Sequence, residues 1–205
     1  AQHGDKYLKS VGNYILEVEG QSSDSTKAIL YFMDSGSNSR AKGIKGYGWF
    51  DFEQVDWYRK NSAAYTAQNK GVPYPALAFF HIPLPEYPLM TDANGTIMVG
   101  EKREDECSPK INTGMFSAMR LSGDVMGTFV GHDHDNDYIG VYYDIALAYG
   151  RYTGGKTVYN NLGLNGCRII ELEEGERKFS TYIRLLGGEK LYNVSYPESF
   201  VPETK

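Results

Sequence analysis

Two apolar runs, each followed closely by histidine, most constrain how this chain can fold. The first is Ala76 to Phe80, with His81 directly after it, and the second is Val125 to Val130, with His132 two residues further on. Runs of this length are typical of buried strands. Residues two apart on an extended backbone project to the same side, so His132 and His134 are predicted to point at one place. We expect all three imidazoles to gather at one end of a sheet.

The spacing of His132 and His134 predicts a metal site. Neutral imidazoles that converge on one point commonly bind a transition metal, although a single His-x-His more often marks an ordinary surface loop. Gly131 allows close backbone approach just before the pair. Asp133, Asp135 and Asp137 supply carboxylates that are able to orient imidazole N–H groups from a second layer around the metal.

These residues resemble a known family. Gly131-His132-Asp133-His134 is similar to the closing G-H-x-H motif of the calcineurin-like metallophosphoesterases, a superfamily that includes the purple acid phosphatases. Phe79-Phe80-His81 resembles the isolated histidine of that family. The longer strings 80–87 and 131–137 resemble a subgroup of bacterial and fungal phosphohydrolases. The resemblance covers most of the chain, from about residue 13 to residue 185.

The resemblance implies an α/β fold, the C-terminal half of a four-layer αββα sandwich that is largely β with two main helices. Residues 1–205 are then one domain, the C-terminal portion of a catalytic domain.

The family builds its metal site from five sequence blocks: D-x-H, G-D-x-x-D/Y, G-N-H-D/E, the lone His and G-H-x-H. This chain holds only the last two of them. Gly12-Asn13-Tyr14 has Tyr where the third block needs His, and Ser122-Gly123-Asp124 stands in the wrong order.

The function that the resemblance implies is metal-dependent hydrolysis of a phosphoester. The complete enzyme would hold two metal ions, drawn from Mn, Fe or Zn. Carried over by position, His81 and His132 share one metal and His134 belongs to the other, with Asp137 and Asp133 behind them. No catalytic acid or base falls within this chain. Because it lacks the bridging carboxylate, the isolated chain is expected to be inactive.

Two alternatives remain open. In the first, the chain is a non-catalytic module that binds a metal or a partner. The second concerns residues 150–157, which match the phosphate-binding pattern G-x-x-x-x-G-K-T. That mechanism requires a helix beginning at the lysine, and the Asn and Gly residues that follow oppose a helix.

Composition narrows the choice of partners. A chain of 205 residues with 41% hydrophobic content is expected to form one domain with a substantial core. The net charge of −5 and the absence of a Lys/Arg cluster argue against nucleic acid. No apolar run is long enough to span a membrane. If half of the fold is missing, bare strand edges and apolar faces predict either self-association or a bound N-terminal half. Cys107 and Cys167 either pair or are separate thiols.

The pattern of elements is predicted as follows. Strands are expected at 14–18, 28–33, 76–80, 125–130, 139–149, 168–172 and 179–185, and helices at 52–67 and 113–121. The prolines at 83, 85 and 88 predict a non-helical path, and residues 91–109 a mobile loop.

Overall fold

The computed structural model describes residues 8–155 and 158–202. In chain order its elements are β1 (Tyr14–Gly20), β2 (Ser23–Phe32), α1 (Phe52–Gln68), β3 (Ala76–Phe79), α2 (Glu86–Asp92), β4 (Met98–Val99), α3 (Met115–Ser122), β5 (Val125–Val130), β6 (Ile139–Tyr142), β7 (Ile145–Tyr149), β8 (Gly166–Leu172), β9 (Phe179–Leu185), β10 (Lys190–Tyr196) and a 3-10 turn at Glu198–Phe200. None of the helices described is long and apolar enough to cross a membrane.

Ten strands form two sheets in the described residues. The larger has seven strands in the order β1-β2-β3-β5-β7-β6-β4, and the smaller has three in the order β10-β9-β8. The central strands β2, β3, β5 and β7 run parallel. All six residues of β5 are buried, as expected for a parallel strand that is covered on both faces.

Each face of the larger sheet has its own core. On one face the helices supply residues such as Tyr58 and Met119, which pack with Tyr31 and other strand residues. On the other face β8–β10 supply Phe179 and Tyr196, which pack with Phe129 and its neighbours. The described residues therefore form a mixed α/β structure made mostly of strands, with three α-helices, and the predicted fold class is confirmed.

A buried carboxylate joins the sheet to the helices. Asp124, just before β5, accepts hydrogen bonds from Tyr31 of β2 at 2.9 Å and from Tyr58 of α1. Burial and the nearby Asp124 charge both raise the pKa of Tyr58, so its hydroxyl stays a neutral donor. The pairing fixes α1 against the sheet without leaving a buried carboxylate unsatisfied.

A row of aromatic rings crosses the first strands of the larger sheet. Tyr14 stacks on Phe32 at 4.8 Å between ring centroids, Phe32 on Phe79 at 5.0 Å, and Phe79 on Phe129 at 5.4 Å. Phe129 is buried, whereas the other three rings are only half-buried. The apolar face thus extends beyond the area that β8–β10 cover.

Most of the predicted elements are confirmed, but the run 139–149 is two strands. A turn at Tyr143 and Asp144 divides it into β6 and β7, which pair antiparallel. Both turn residues have positive φ, 43° and 62°, as a two-residue hairpin turn of type I′ requires. The Asn-Gly or Asp-Gly pair that usually marks such a turn is absent here, so the sequence predicted one continuous strand.

The prediction of a non-helical path through Pro83, Pro85 and Pro88 is wrong from Glu86 onward. Helix α2 begins at Glu86 and contains Pro88 in its first turn. Proline is tolerated there because the first N–H groups of a helix have no intrahelical acceptor. The predicted loop 91–109 also contains the end of α2 and the short strand β4, and strand β10 was not predicted. Cys107 and Cys167 are both free thiols.

We predict that Glu86→Gln stabilises the protein at neutral pH. Glu86 is buried, and only Oε1 has a partner among the described residues, the Asn112 side chain at 2.7 Å. Burial raises the pKa of Glu86. A folded-state pKa above the unfolded value means that stability falls as pH rises from the unfolded to the folded pKa. The glutamine amide keeps an acceptor for Asn112 and removes the charge.

The expected gain at about pH 7.5 is about 1 kcal/mol in the free energy of unfolding, or about 3 °C in Tm. The gain should vanish near pH 3, where the carboxyl is protonated in both states. Thermal unfolding at both pH values, with the exposed Glu53→Gln as the matched control, measures it. An equal gain at both pH values would contradict this explanation.

Candidate metal site

The structure brings His81 and His132 together at the ends of β3 and β5. His81 Nε2 lies 3.3 Å from His132 Nδ1, and the two rings meet edge to face at 5.1 Å between centroids. The backbone causes this approach, because the Gly131 N–H donates to the His81 carbonyl at 3.1 Å. A Cβ at position 131 would stand 3.3 Å from His81 Nδ1, so glycine leaves room for the ring.

Both imidazoles of the pair are held in the neutral form. Burial lowers the pKa of His81, and the His132 and His134 charges lower it further. Burial also lowers the pKa of His132, with Asp133 opposing the shift and His134 adding to it. A neutral imidazole is the form that binds a metal.

The distance between the two nitrogens fits two ligands of one metal ion. Two nitrogens that each lie about 2.1 Å from a metal, at an angle of about 90–110°, are about 3.0–3.4 Å apart. The 3.3 Å between His81 Nε2 and His132 Nδ1 falls in that interval. The remaining nitrogen of His132, Nε2, is buried without a hydrogen-bond partner among the described residues.

His134 occupies a separate position between two tyrosines. Its ring lies 4.9 Å from the Tyr152 ring and 4.6 Å from the Tyr159 ring. Its Nδ1 is 3.1 Å from the Tyr159 carbonyl oxygen. Because a carbonyl only accepts, Nδ1 carries the proton in this contact and Nε2 keeps its lone pair for a ligand. His134 is close enough for its charge to lower the pKa of His81 and of His132.

The site is incomplete as a metal cage. Within residues 8–155 and 158–202, no three His, Cys, Asp or Glu side chains are grouped so that they could hold a metal ion. Two imidazoles converge and the third stands apart with its tyrosines. Structural and catalytic zinc sites both use at least three protein ligands, so the described residues supply too few.

Asp133 and Asp137 do not hydrogen-bond to the histidines. Asp133 Oδ2 accepts from the Tyr149 hydroxyl at 2.6 Å and from the Cys107 N–H at 3.1 Å. Burial and the Asp133 charge raise the pKa of the Cys107 thiol to about 11, which keeps it protonated at neutral pH. Asp133 therefore ties the loop that contains Cys107 to the end of strand β7.

Asp137 forms a buried ion pair with Arg151. Its Oδ2 accepts from Arg151 Nη1 at 2.7 Å, and its Oδ1 accepts from the Glu101 N–H at 2.8 Å. The same guanidinium donates to the carbonyls of Leu162 and Leu164. Arg151 thus anchors the loop after β7 that carries Tyr159, a role that the sequence analysis did not identify.

Two further side chains near the histidines were missed from the sequence. Tyr47 meets the His132 ring edge to face at 4.3 Å. Glu104 accepts from the Asp135 N–H at 2.6 Å and from the Tyr159 hydroxyl at 2.8 Å, which links two loops beside His134. Both residues come from segments without a motif, so only the folded structure reveals these contacts.

The phosphate-loop alternative at residues 150–157 lacks its helix in the part that the structure describes. The Gly150 N–H donates to the Val130 carbonyl at 2.7 Å, and the Arg151 side chain is buried in its ion pair. Residues 158–165 contain no helix. The motif's Lys156 and Thr157 lie outside the described residues.

Comparison with known proteins gives several relatives. No protein-family model matches the sequence. The chain is 34% identical over 189 residues to a protein of Arabidopsis thaliana named probable inactive purple acid phosphatase 14, covering 86% of this chain and 46% of the relative. It is 34% identical over 154 residues to probable inactive purple acid phosphatase 29 of the same plant (70% and 39%). It is 32% identical over 195 residues to phosphatase DCR2 of Saccharomyces cerevisiae (88% and 32%).

The fold is shared with a solved structure. A dimetal phosphatase from Danio rerio superposes with a TM-score of 0.53 at 12% identity, covering 89% of this chain and 60% of that one. The chain therefore spans less than half the length of each of these three curated relatives and somewhat under two thirds of the solved structure.

We predict that Asp137→Asn destabilises the fold strongly. The substitution leaves the buried Arg151 guanidinium without its counter-charge, which costs about 3 kcal/mol in the free energy of unfolding. The matched control is Asp144→Asn, which removes a partner of Arg120 from an exposed pair whose aspartate side chain is 79% accessible. That control should change stability by no more than about 0.5 kcal/mol. Urea denaturation compares the two, and similar small losses would exclude an anchoring role for Asp137.

Proposed function

This chain belongs to the calcineurin-like metallophosphoesterases, and we propose that it forms part of a metal-dependent phosphoester hydrolase. The observation that carries the proposal is the 3.3 Å approach of His81 Nε2 to His132 Nδ1, with both imidazoles held neutral. Neither histidine belongs to the apolar cores on the two faces of the sheet, so core packing does not account for the pair.

The residues divide between two metal positions. His81 and His132 would hold one ion through the two facing nitrogens, and His134 would contribute Nε2 to the other. Bound Mn, Fe or Zn ions supply Lewis acidity toward a phosphoryl oxygen and lower the pKa of water. The chain's own part is to orient the ligands: the Tyr159 carbonyl fixes the His134 tautomer, and the Gly131–His81 backbone contact fixes the spacing of the pair.

Further ligands are required for turnover. Three histidines divided between two metals leave each ion short of the three protein ligands that such sites use. The missing ligands would come from the family's three earlier blocks, which this sequence does not contain. We therefore propose that hydrolysis belongs to a longer form of the protein, with the 205-residue chain inactive by itself. The alternative is a non-catalytic metal-binding module, and it is favoured by the word inactive in the names of three curated relatives.

The half-buried aromatic row is the surface on which the remaining part would pack. Tyr14, Phe32 and Phe79 continue the apolar face that Phe129 begins under β8–β10. A further sheet, from the missing half or from a second copy of this chain, would remove that face from water. All four rings of the row line an open cavity of about 400 Å³, together with His81, Gly12 and Gly131.

We predict that the chain binds one Mn²⁺ or Zn²⁺ ion weakly through the histidine pair. His81→Ala and His132→Ala should each lower the affinity at least tenfold, because removal of either ligand leaves a single imidazole. His134→Ala is the matched control and should change the affinity by less than about threefold. Isothermal titration measures all three, and an equal loss in the His134 variant would contradict the assignment.

We also predict the outcome of an activity assay. The 205-residue chain should hydrolyse an aryl phosphate at background rate with Mn²⁺, Zn²⁺ or Fe supplied. A longer form that includes D-x-H, G-D-x-x-D/Y and G-N-H-D/E blocks should turn over, and His132→Ala in that form should reduce the rate by several orders of magnitude. Turnover by the short chain that is abolished by chelator and by His132→Ala would show that its residues complete the site.

A further inference from the structure

A basic hairpin stands beside the histidine pair. Residues 37–48, which connect β2 to α1, fold back on themselves and are called here the basic hairpin. The Gly48 N–H donates to the Ser37 carbonyl at 2.6 Å, and the Ser39 N–H donates to the Gly46 carbonyl at 2.8 Å. Asn38 and Tyr47 form an isolated antiparallel bridge. The backbone is therefore held by its own hydrogen bonds, with residues 40–45 at the tip.

The tip of the basic hairpin carries unopposed positive charge. Arg40, Lys42 and Lys45 are all exposed, and no acidic residue occurs between Asp34 and Asp51. None of the three cations forms an ion pair or a side-chain hydrogen bond with any residue that the structure describes. This contrasts with the chain as a whole, which has a net charge of −5.

A fourth cation lies on a distant segment of the sequence that packs against the base of the basic hairpin. The Thr113 hydroxyl donates to the Phe50 carbonyl at 2.6 Å, and residues 109 and 111–113 line a small cavity together with residues 48–50. Lys110 lies within that segment, is exposed, and has no partner among the described residues. The three cations at 40–45 are already neighbours in the sequence, where they were not recognised as a Lys/Arg cluster, and only the approach of Lys110 depends on the fold.

The base of the basic hairpin contacts the candidate metal site. Tyr47, at the base of the basic hairpin, contacts the His132 ring at 4.3 Å. Lys45 is two residues from Tyr47, so their Cα atoms are at most about 7 Å apart. The neighbouring loop carries carboxylates of its own: Glu106 and Asp105 lie near Lys102, at 3.2 and 3.9 Å, and Glu104 keeps its charge while it accepts from Asp135 and Tyr159. None of these carboxylates pairs with a cation of the basic hairpin in the part of the chain that the structure describes. The cations of the hairpin remain available for a ligand.

We propose that the basic hairpin, with Lys110, binds a second anionic group of the substrate. The substrate class would be phosphoesters that carry a further phosphate near the scissile one, rather than monoesters of neutral alcohols. Clustered cations attract a polyanion more strongly than a single phosphate, because each added charge contributes its own Coulomb energy. This assignment rests on the proposed function, since it treats the His81–His132 pair as the place of the scissile phosphate.

The test is calorimetric binding of tripolyphosphate and of orthophosphate to the metal-free chain. The triple variant Arg40→Ala/Lys42→Ala/Lys45→Ala should bind tripolyphosphate at least tenfold more weakly, with less than a threefold change for orthophosphate. The control triple variant Arg59→Ala/Lys60→Ala/Arg184→Ala removes the same charge from exposed positions on α1 and β9 and should retain tripolyphosphate affinity. A thermal melt of each variant verifies folding.

Failure of this assignment is distinguishable from failure of the metal site. The triple variant should bind Mn²⁺ as the wild type does, whereas His81→Ala should lose Mn²⁺ and keep tripolyphosphate. The proposal is overturned if the wild-type chain does not bind tripolyphosphate. It is also overturned if the hairpin variant binds it unchanged, or if the control variant loses as much affinity.

Discussion

The parallel pairing of β3 with β5 is the constraint on which the candidate site depends. It brings the ends of two strands that are about fifty residues apart in sequence to the same edge of the sheet, where the Gly131 N–H reaches the His81 carbonyl at 3.1 Å. With that contact in place, His81 and His132 face each other across 3.3 Å, and a side chain at position 131 would press on the His81 ring. The metal assignment and the basic hairpin both take their position from this one edge.

Around the histidines, the acidic residues hold loops rather than imidazoles. Asp133 binds the Tyr149 hydroxyl and the Cys107 backbone, and Asp137 binds Arg151 and the Glu101 backbone. Buried carboxylates with all their partners hold the loops around a site in place. A loop that moved away would leave the carboxylate buried without its partner, which is energetically costly. The consequence is a stable platform on which three histidines are presented but only two converge.

The sequence predicted the main strands better than the tertiary contacts around the histidines. Strands β5 and β9 match their predicted bounds because continuous apolar runs with clear turn signals leave little choice of structure. The division of β6 from β7 escaped prediction because Tyr143 and Asp144 adopt positive φ without a glycine. Tyr47 against His132, and Lys110 beside the basic hairpin, were not predictable because they are tertiary contacts between segments that carry no motif. Asp137 was predicted beside a histidine, and its partner is Arg151 because a guanidinium offers a buried carboxylate the counter-charge that a neutral imidazole lacks.

The central claim is that His81 and His132 form one half of a metal centre. It is tested most directly by anomalous diffraction from crystals of this chain soaked in MnCl₂ or ZnCl₂. The account predicts an anomalous peak about 2.1 Å from both His81 Nε2 and His132 Nδ1. If the crystals show metal bound elsewhere, with these two nitrogens still facing each other at about 3.3 Å and no peak between them, the claim is contradicted.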